Sequence, residues 1–140
     1  RGEGGDRVRE GCAGGGSVGP GNDPVDFSGV GGRQARHGQR FIDRLLTDEE
    51  RATLPAGARR ANRMAKSFAA KEALVKALGC GFRDIDHRDC GVGRSEIGAP
   101  SLRFSPAVQA LLRQRGISRT HLALTDDGDW VLATVILERD

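Results

Sequence analysis

Tyrosine is absent from this chain, tryptophan and methionine occur once each, and aromatic residues make up only 4% of the sequence. Proteins that hold single-stranded nucleic acid stack its bases on aromatic rings, so this scarcity argues against a nucleic-acid partner. No apolar run approaches the ~18 residues of a membrane span, which predicts no membrane segment. The three cysteines, Cys12, Cys80 and Cys90, form no Cys-x-x-Cys pair. Neither a zinc knuckle nor a disulfide framework is therefore predicted.

The length of 140 residues suits one domain with a modest core. Residues 1–20 are rich in Gly and charge and have no hydrophobic period, so we expect a disordered lead-in followed by a single domain over residues 21–140. No signal peptide is visible, and unpaired cysteines suit a reducing compartment, which together predict a cytoplasmic protein. The formal charge of +3 favours anionic partners such as phosphates or an acidic protein.

The most informative stretch runs from Ser67 to Gly79 and reads SFAAKEALVKALG. Ala, Leu, Lys and Glu favour a helix, and Gly79 offers a left-handed stop. Four apolar residues share one side at helical spacing and are predicted to face the core: Met64, Phe68, Val75 and Leu78. Glu72 and Lys76 stack on another side. They form either an ordinary surface ion pair or a site in which Glu72 holds a hard cation and Lys76 faces a phosphate.

Several local signals place other elements. Thr47 and Glu50 fit a capping box at the start of a helix, and Ser105-Pro106 fits the start of another that Gly116 ends. Residues 120–125 and 130–138 are two extended runs joined by the turn residues 126–129, which predicts a hairpin. Between these elements lies His87, which has no His or Cys at ligand spacing and is interpreted as a surface residue.

The string AKSFAAKEALVKALGCG resembles the signature helix of the holo-acyl-carrier-protein synthases, a group of 4'-phosphopantetheinyl transferases. Members of this family typically read RFAxKEAxxKAxGxG, and Ser67 stands where they have Arg. The family's first strand carries Gly-x-Asp-Ile/Leu-Val, which Gly21, Asp23 and Val25 match and Pro24 does not. An Arg usual six residues beyond that Asp is replaced by Gly29.

Further motifs of the family recur in order along the chain. Gly38-Gln39-Arg40-Phe41 is similar to its Gly-x-Arg-Phe, and Gly98-Ala99-Pro100 resembles its Gly-Lys/Arg-Pro turn. Ala123-Leu124-Thr125-Asp126 is similar to the end of its penultimate strand, Ser-x-Ser/Thr-His/Asp, although the first Ser is absent. The resemblance covers about residues 21–139.

The resemblance implies an α+β fold, in which helices that include one long signature helix pack on a mainly antiparallel sheet. It implies transfer of the 4'-phosphopantetheine arm of coenzyme A to a serine of apo acyl carrier protein, in support of fatty acid biosynthesis, with release of adenosine 3',5'-bisphosphate. Magnesium is the implied cofactor, with Asp23 and Glu72 as its ligands and as catalytic residues beside Lys76. The implied coenzyme A contacts are Lys76, Gly79, Gly81, Pro100, Thr125 and Asp126.

The same family implies a homotrimer with active sites at subunit junctions. Acyl carrier proteins are strongly acidic, so basic residues near the first helix are candidates for docking them: Arg33, Arg36, Arg40 and Arg44. The general base stays open between a bound water and a carboxylate. Two alternatives also stay open. One is a degenerate relative that lost activity with the replacements Pro24, Gly29 and Ser67, and the other is a small basic module that binds RNA or another polyanion.

Overall fold

The computed structural model describes residues 8–15, 39–40, 42–127 and 130–140. Within these ranges lie five strands and three α-helices. The strands are β1 (Val8–Gly15), β2 (Cys90–Arg94), β3 (Pro100–Phe104), β4 (Ile117–Asp127) and β5 (Trp130–Arg139). The α-helices are α1 (Asp48–Ala52), α2 (Ala58–Leu78) and α3 (Pro106–Gln114), with 3-10 turns at Gly81–Arg83 and His87–Asp89. Residues 39–40 and 42–45 are also helical. None of the helices in the described part of the chain is long and apolar enough to cross a membrane.

Helix α2 is the central element, and it begins earlier than the signature string does. Its first residue is Ala58, and it ends where Gly79 adopts a left-handed conformation with φ of 71°, as the sequence predicts. Met64, Val75 and Leu78 are buried as expected, whereas Phe68 is only half-buried. Small residues of α2, Ala69, Ala70, Ala73 and Ala77, are also buried. They let the helix lie close to β1 and β5, which it contacts.

The main sheet has the order β1-β5-β4 and is antiparallel throughout. In β5 the residues that face α2 alternate along the strand and are buried: Val131, Ala133, Val135 and Leu137. The opposite face is open at one end, because Trp130 is 60% exposed and Leu132 is 46% exposed. The predicted hairpin is confirmed, with Leu122 paired to Val135 and Asp127 to Trp130. Its two turn residues, 128–129, lie outside the described residues.

The predicted helix starts are confirmed by their caps. Thr47 Oγ1 accepts from the amide of Glu50, and the Glu50 carboxylate accepts from the amide of Thr47, which completes the capping box of α1. Ser105 Oγ accepts from the amide of Val108 at the start of α3. A second antiparallel sheet pairs β2 with β3, from Cys90 opposite Phe104 to Arg94 opposite Pro100.

The N-terminal region differs from its expected structure over Val8–Gly15. This stretch was expected to be a disordered lead-in, but it forms β1 and pairs with β5 from Val8 opposite Glu138 to Gly15 opposite Val131. The strand was not predicted because Gly has no side chain, so the alternation of apolar and polar side chains that indicates a strand is missing from this stretch. Strand formation there follows from the free edge of β5, a tertiary effect that local propensity does not report.

Candidate functional site

Glu72 and Lys76 lie in the last two turns of α2, on consecutive turns of the same helix face. Glu72 is half-buried and Lys76 is exposed, while the residues between them, Ala73, Leu74 and Val75, are buried. The core therefore anchors the helix backbone at this point, and the two charged side chains are the part that solvent reaches. A carboxylate and an ammonium group are thus presented side by side by a rigid element.

The surface ion pair that was one interpretation of this spacing does not form. Neither side chain makes an ion pair or a hydrogen bond with any residue that the structure describes. An exposed i,i+4 pair contributes only a few tenths of a kcal/mol, so little holds such side chains together when another partner is present. No described residue therefore occupies the Glu72 carboxylate or the Lys76 ammonium group, and a ligand can reach both.

The two glycines after α2 shape the surface next to Lys76. Gly79 and Gly81 are both exposed and have φ of 71° and 67°. A Cβ atom at Gly81 would meet nothing within 4 Å, so its requirement for glycine comes from the positive φ rather than from crowding. The chain therefore leaves α2 with an exposed backbone at both glycines.

Asp126 lies at the end of β4 and is held by α2 rather than free. One carboxylate oxygen accepts from Lys66 Nζ at 3.0 Å, and the other accepts from Asn62 Nδ2 at 3.1 Å. The hydrogen bond from Lys66, its charge, and the hydrogen bond from Asn62 hold the pKa of Asp126 below its usual value. Sequence reasoning missed Asn62 and Lys66 as partners of Asp126, although their spacing of four residues places them on one face of α2.

The predicted cofactor residues lie near two separate parts of α2. Asn62 and Lys66, which hold Asp126, precede Glu72 and Lys76 by ten positions each. At a rise of ~1.5 Å per residue the two groups are about 15 Å apart along α2. Thr125 is exposed next to Asp126, and Pro100 is half-buried at the start of β3. Within one copy, Glu72 and Lys76 therefore do not lie beside Asp126.

The magnesium site predicted from Asp23 and Glu72 stays a prediction. Asp23 lies outside the described residues, as do Gly21, Pro24 and Gly29. Among the residues that the structure does describe, no three His, Cys, Asp or Glu side chains come together as a metal site. The donor chemistry of Glu72 still fits Mg²⁺, which commonly takes one or two carboxylates and completes its shell with waters and substrate phosphates.

His87 was expected to be a surface residue, and the structure shows it half-buried. Its ring stacks on Phe82 with centroids 3.7 Å apart, and its other neighbour is Phe68 at 6.1 Å. Burial, with a smaller effect of the nearby Lys71 charge, lowers the pKa of His87. Phe68 also packs against the small cluster of Ile42, Leu45, Leu46 and Met64.

Comparison with known proteins identifies the superfamily of the chain. A family model described as the 4'-phosphopantetheinyl transferase superfamily matches residues 19–135. The chain belongs to this superfamily. Within it, the chain is similar to the holo-[acyl-carrier-protein] synthase of Neisseria meningitidis serogroup A, at 38% identity over 122 residues that cover 86% of this chain and 98% of the relative. The chain is also similar to the holo-[acyl-carrier-protein] synthase of Thiobacillus denitrificans, at 40% identity over 122 residues that cover 86% of this chain and 93% of the relative.

Solved structures of the superfamily share the α+β fold. The crystal structure of the Neisseria meningitidis holo-[acyl-carrier-protein] synthase superposes with a TM-score of 0.72 at 32% identity, covering 94% of this chain and 97% of that one. The Bacillus anthracis synthase in complex with CoA (3',5'-ADP) has a TM-score of 0.67 at 24% identity, with coverage of 94% and 96%. The predicted family and fold class are confirmed.

Proposed function

We propose that this chain transfers the 4'-phosphopantetheine moiety of coenzyme A to a serine of apo acyl carrier protein. The products are holo-acyl carrier protein and adenosine 3',5'-bisphosphate. The observation that carries this proposal is the pair Glu72 and Lys76, which the superfamily's signature helix presents without a partner among the described residues. The names of the related synthases and the coenzyme A in the Bacillus anthracis complex support the same substrates.

Glu72 fits the role of a magnesium ligand, with Asp23 as the proposed second carboxylate. When bound, Mg²⁺ would neutralise the diphosphate of coenzyme A and polarise the bond that breaks. Glu72 suits this role because its backbone is fixed by the buried residues on either side, Lys71 and Ala73, while its carboxylate reaches solvent. A diphosphate repels an incoming nucleophile, so charge neutralisation and alignment are the main tasks of such a transferase.

Lys76 lies one turn beyond Glu72 and is proposed to stabilise the departing bisphosphate. Its exposed ammonium group can act as a point charge or as a proton donor to the phosphate oxygens. Gly79 and Gly81 would let the ligand approach the backbone closely at the end of the helix. The serine proton would pass to a bound water or to a carboxylate.

A homotrimer with active sites at its junctions is part of this proposal. Asp126 is held by Asn62 and Lys66, which lie about 15 Å and about 9 Å along α2 from Glu72, so one copy alone does not gather the whole proposed coenzyme A site. A neighbouring copy could supply Pro100, Thr125 and Asp126 to the Glu72 of the first. The exposed side chains of Trp130 and Leu132 are the apolar surface that such an assembly would cover.

The acidic carrier protein is proposed to dock on basic residues of the first helical segment. Arg40 and Arg44 are exposed there, whereas Arg33 and Arg36 lie outside the described residues. Complementary charge of this kind mainly raises the association rate and is screened by salt. We place this reaction in the cytoplasm and in fatty acid biosynthesis.

The proposal is tested by incubating the protein with coenzyme A, Mg²⁺ and an apo acyl carrier protein. Transfer should appear as a mass increase on the carrier equal to one phosphopantetheine arm, and chelation of Mg²⁺ should abolish it. Glu72→Gln should lower the rate at least about 100-fold, the size of effect seen when one electrostatic stabiliser is removed. Glu49→Gln is the matched control, because Glu49 is an exposed carboxylate on α1.

Three results would count against the proposal. A wild-type protein that folds but adds no arm at high coenzyme A concentration would favour a degenerate relative, for which the buried Ser67 is the described replacement. Transfer that is equally fast in Glu72→Gln would remove Glu72 from the reaction. Binding to RNA that weakens steeply with salt and ignores Glu72→Gln would favour the polyanion-binding module instead.

A further inference from the structure

Lys71, the residue before Glu72, is buried in an ion pair that the sequence does not reveal. Its side chain is 0% exposed, and its Nζ donates to Glu50 Oε1 at 2.6 Å and to the carbonyl oxygen of Leu45. The same Glu50 oxygen accepts from the amide of Thr47 at 2.9 Å, and Glu50 Oε2 accepts from the amide of Val92 at 3.2 Å. One buried carboxylate thus joins α1, α2 and β2.

A gain in stability alone does not explain the buried ion pair of Lys71 and Glu50. Removing two charges from water costs about as much as their attraction returns, and well-packed apolar residues commonly replace buried pairs without loss. The better-attested use of buried polar groups is to specify one register among several packings. On α2 this use has a clear object, because four of the buried residues around Lys71 are alanines, beside the larger Leu74 and Val75: Ala69, Ala70, Ala73 and Ala77.

Apolar contacts are not directional, so the four alanines, which have no long side chain to interlock with a neighbour, add little to the restraint on rotation that Leu74 and Val75 provide. Hydrogen bonds are directional, and their donor–acceptor distance varies by only a few tenths of an ångström. Lys71 has partners from two different elements, Glu50 on α1 and the carbonyl of Leu45. These bonds therefore fix both the rotation of α2 and its position along its axis.

Because Glu72 follows Lys71 directly, its side chain leaves the helix at ~100° around the helix axis from the side chain of Lys71. We propose that Lys71 and Glu50 are positioning residues, and that their buried ion pair sets the rotation of α2 and thereby holds the Glu72 carboxylate in place for the cation. A carboxylate about 6 Å from the axis moves about 1 Å when the helix turns by about 10°. Mg²⁺ demands near-ideal octahedral geometry and tolerates such a shift badly.

This inference rests on the proposed function, and its test uses a binding measurement besides the transfer assay. The double variant Glu50→Gln/Lys71→Met removes both charges and leaves no lone buried ion. The midpoint of denaturant unfolding checks that it folds. Mn²⁺ affinity is then measured by electron paramagnetic resonance with coenzyme A and without carrier protein. In the folded double variant we expect the Mn²⁺ affinity and kcat for transfer to fall roughly 10- to 100-fold, while KM for the carrier protein stays unchanged.

Glu49→Gln again serves as the control, because it removes a neighbouring exposed charge of α1 whose ion pair is with Arg103 of β3. A folded double variant that binds Mn²⁺ and transfers within twofold of the wild type would overturn the positioning role and leave the proposed function standing. A wild-type protein that neither binds Mn²⁺ nor transfers would overturn both. If the double variant does not fold, Glu50→Asp keeps the charge but retracts the carboxylate. Weaker Mn²⁺ binding in folded Glu50→Asp supports the inference, and unchanged binding overturns it.

Discussion

Gly91 marks the closest approach between the second sheet and α1, and replacing it with alanine tests the packing there. Gly91 is buried in β2, and an added Cβ would lie 3.0 Å from Thr47 Oγ1, 3.1 Å from Thr47 Cγ2 and 3.5 Å from Glu50 Cδ. The two shortest contacts require Thr47 to move by a few tenths of an ångström. Thr47 cannot move freely, because both its hydroxyl and its amide take part in the capping box.

The expected cost follows from these contacts. Adding a methyl group to a well-packed site costs about 1–3 kcal/mol, and disturbing the capping box adds about 1 kcal/mol. Replacing Gly by Ala returns about 0.4–1 kcal/mol, because the unfolded chain loses conformational freedom. We therefore expect Gly91→Ala to lower the free energy of unfolding by about 1–3 kcal/mol, which corresponds to a fall in Tm of several degrees for a chain of this size.

Urea unfolding followed by circular dichroism measures this change, and β2 supplies its own control. A Cβ at Gly93 would meet the Arg103 side chain, at 2.7 Å from Nε. Arg103 is 52% exposed, so its flexible end can swing away at little cost. Gly93→Ala should therefore stay within ~0.5 kcal/mol of the wild type. Equal stability of Gly91→Ala and Gly93→Ala would refute the argument that the Thr47 contact is rigid.

Three further predictions concern single side chains. Burial raises the pKa of the Cys90 thiol to about 12, so iodoacetamide at neutral pH should label the half-buried Cys80 well before Cys90, and equal labelling by peptide mass spectrometry would contradict this. The pKa of His87 is lowered in the folded state from its usual 6.5, so the unfolded chain binds the proton more readily. Stability should fall as pH drops below about 6.5, and denaturant midpoints of the His87→Gln variant should show a weaker dependence. Trp130→Asp should convert the proposed trimer to monomer in light scattering, and an unchanged mass would argue that this face is not the junction.

Local signals predicted local structure well in this protein. The capping box of Thr47 and Glu50, the Ser105 cap and the left-handed Gly79 each depend on residues within one turn of one another, so their side-chain chemistry is visible in the sequence. The signature helix likewise carries its family resemblance in consecutive residues, which is why Glu72 and Lys76 could be singled out before their positions were known.

The features that the sequence did not predict all depend on distant partners. Lys71 lies seven residues after Met64 and seven before Leu78, so the helical period does place it on the buried face. Its partner Glu50 lies 21 residues earlier, and nothing local connects the two. His87 depends in part on such a partner, because Phe68 lies on α2, whereas Phe82 is close to it in the sequence. The ion pair between Lys66 and Asp126 also joins two residues that lie far apart in the sequence.

The first strand has a consequence for experiments on shortened forms of the chain. Among the described residues, only Val8–Gly15 pairs with the outer side of β5, and the superfamily match begins after it, at residue 19. A shortened form that begins at residue 19 would lose that cover and present the unsatisfied amides and carbonyls of β5 to other molecules. Self-association of such a form would reflect strand-to-strand aggregation, so the functional assembly has to be measured on the full chain.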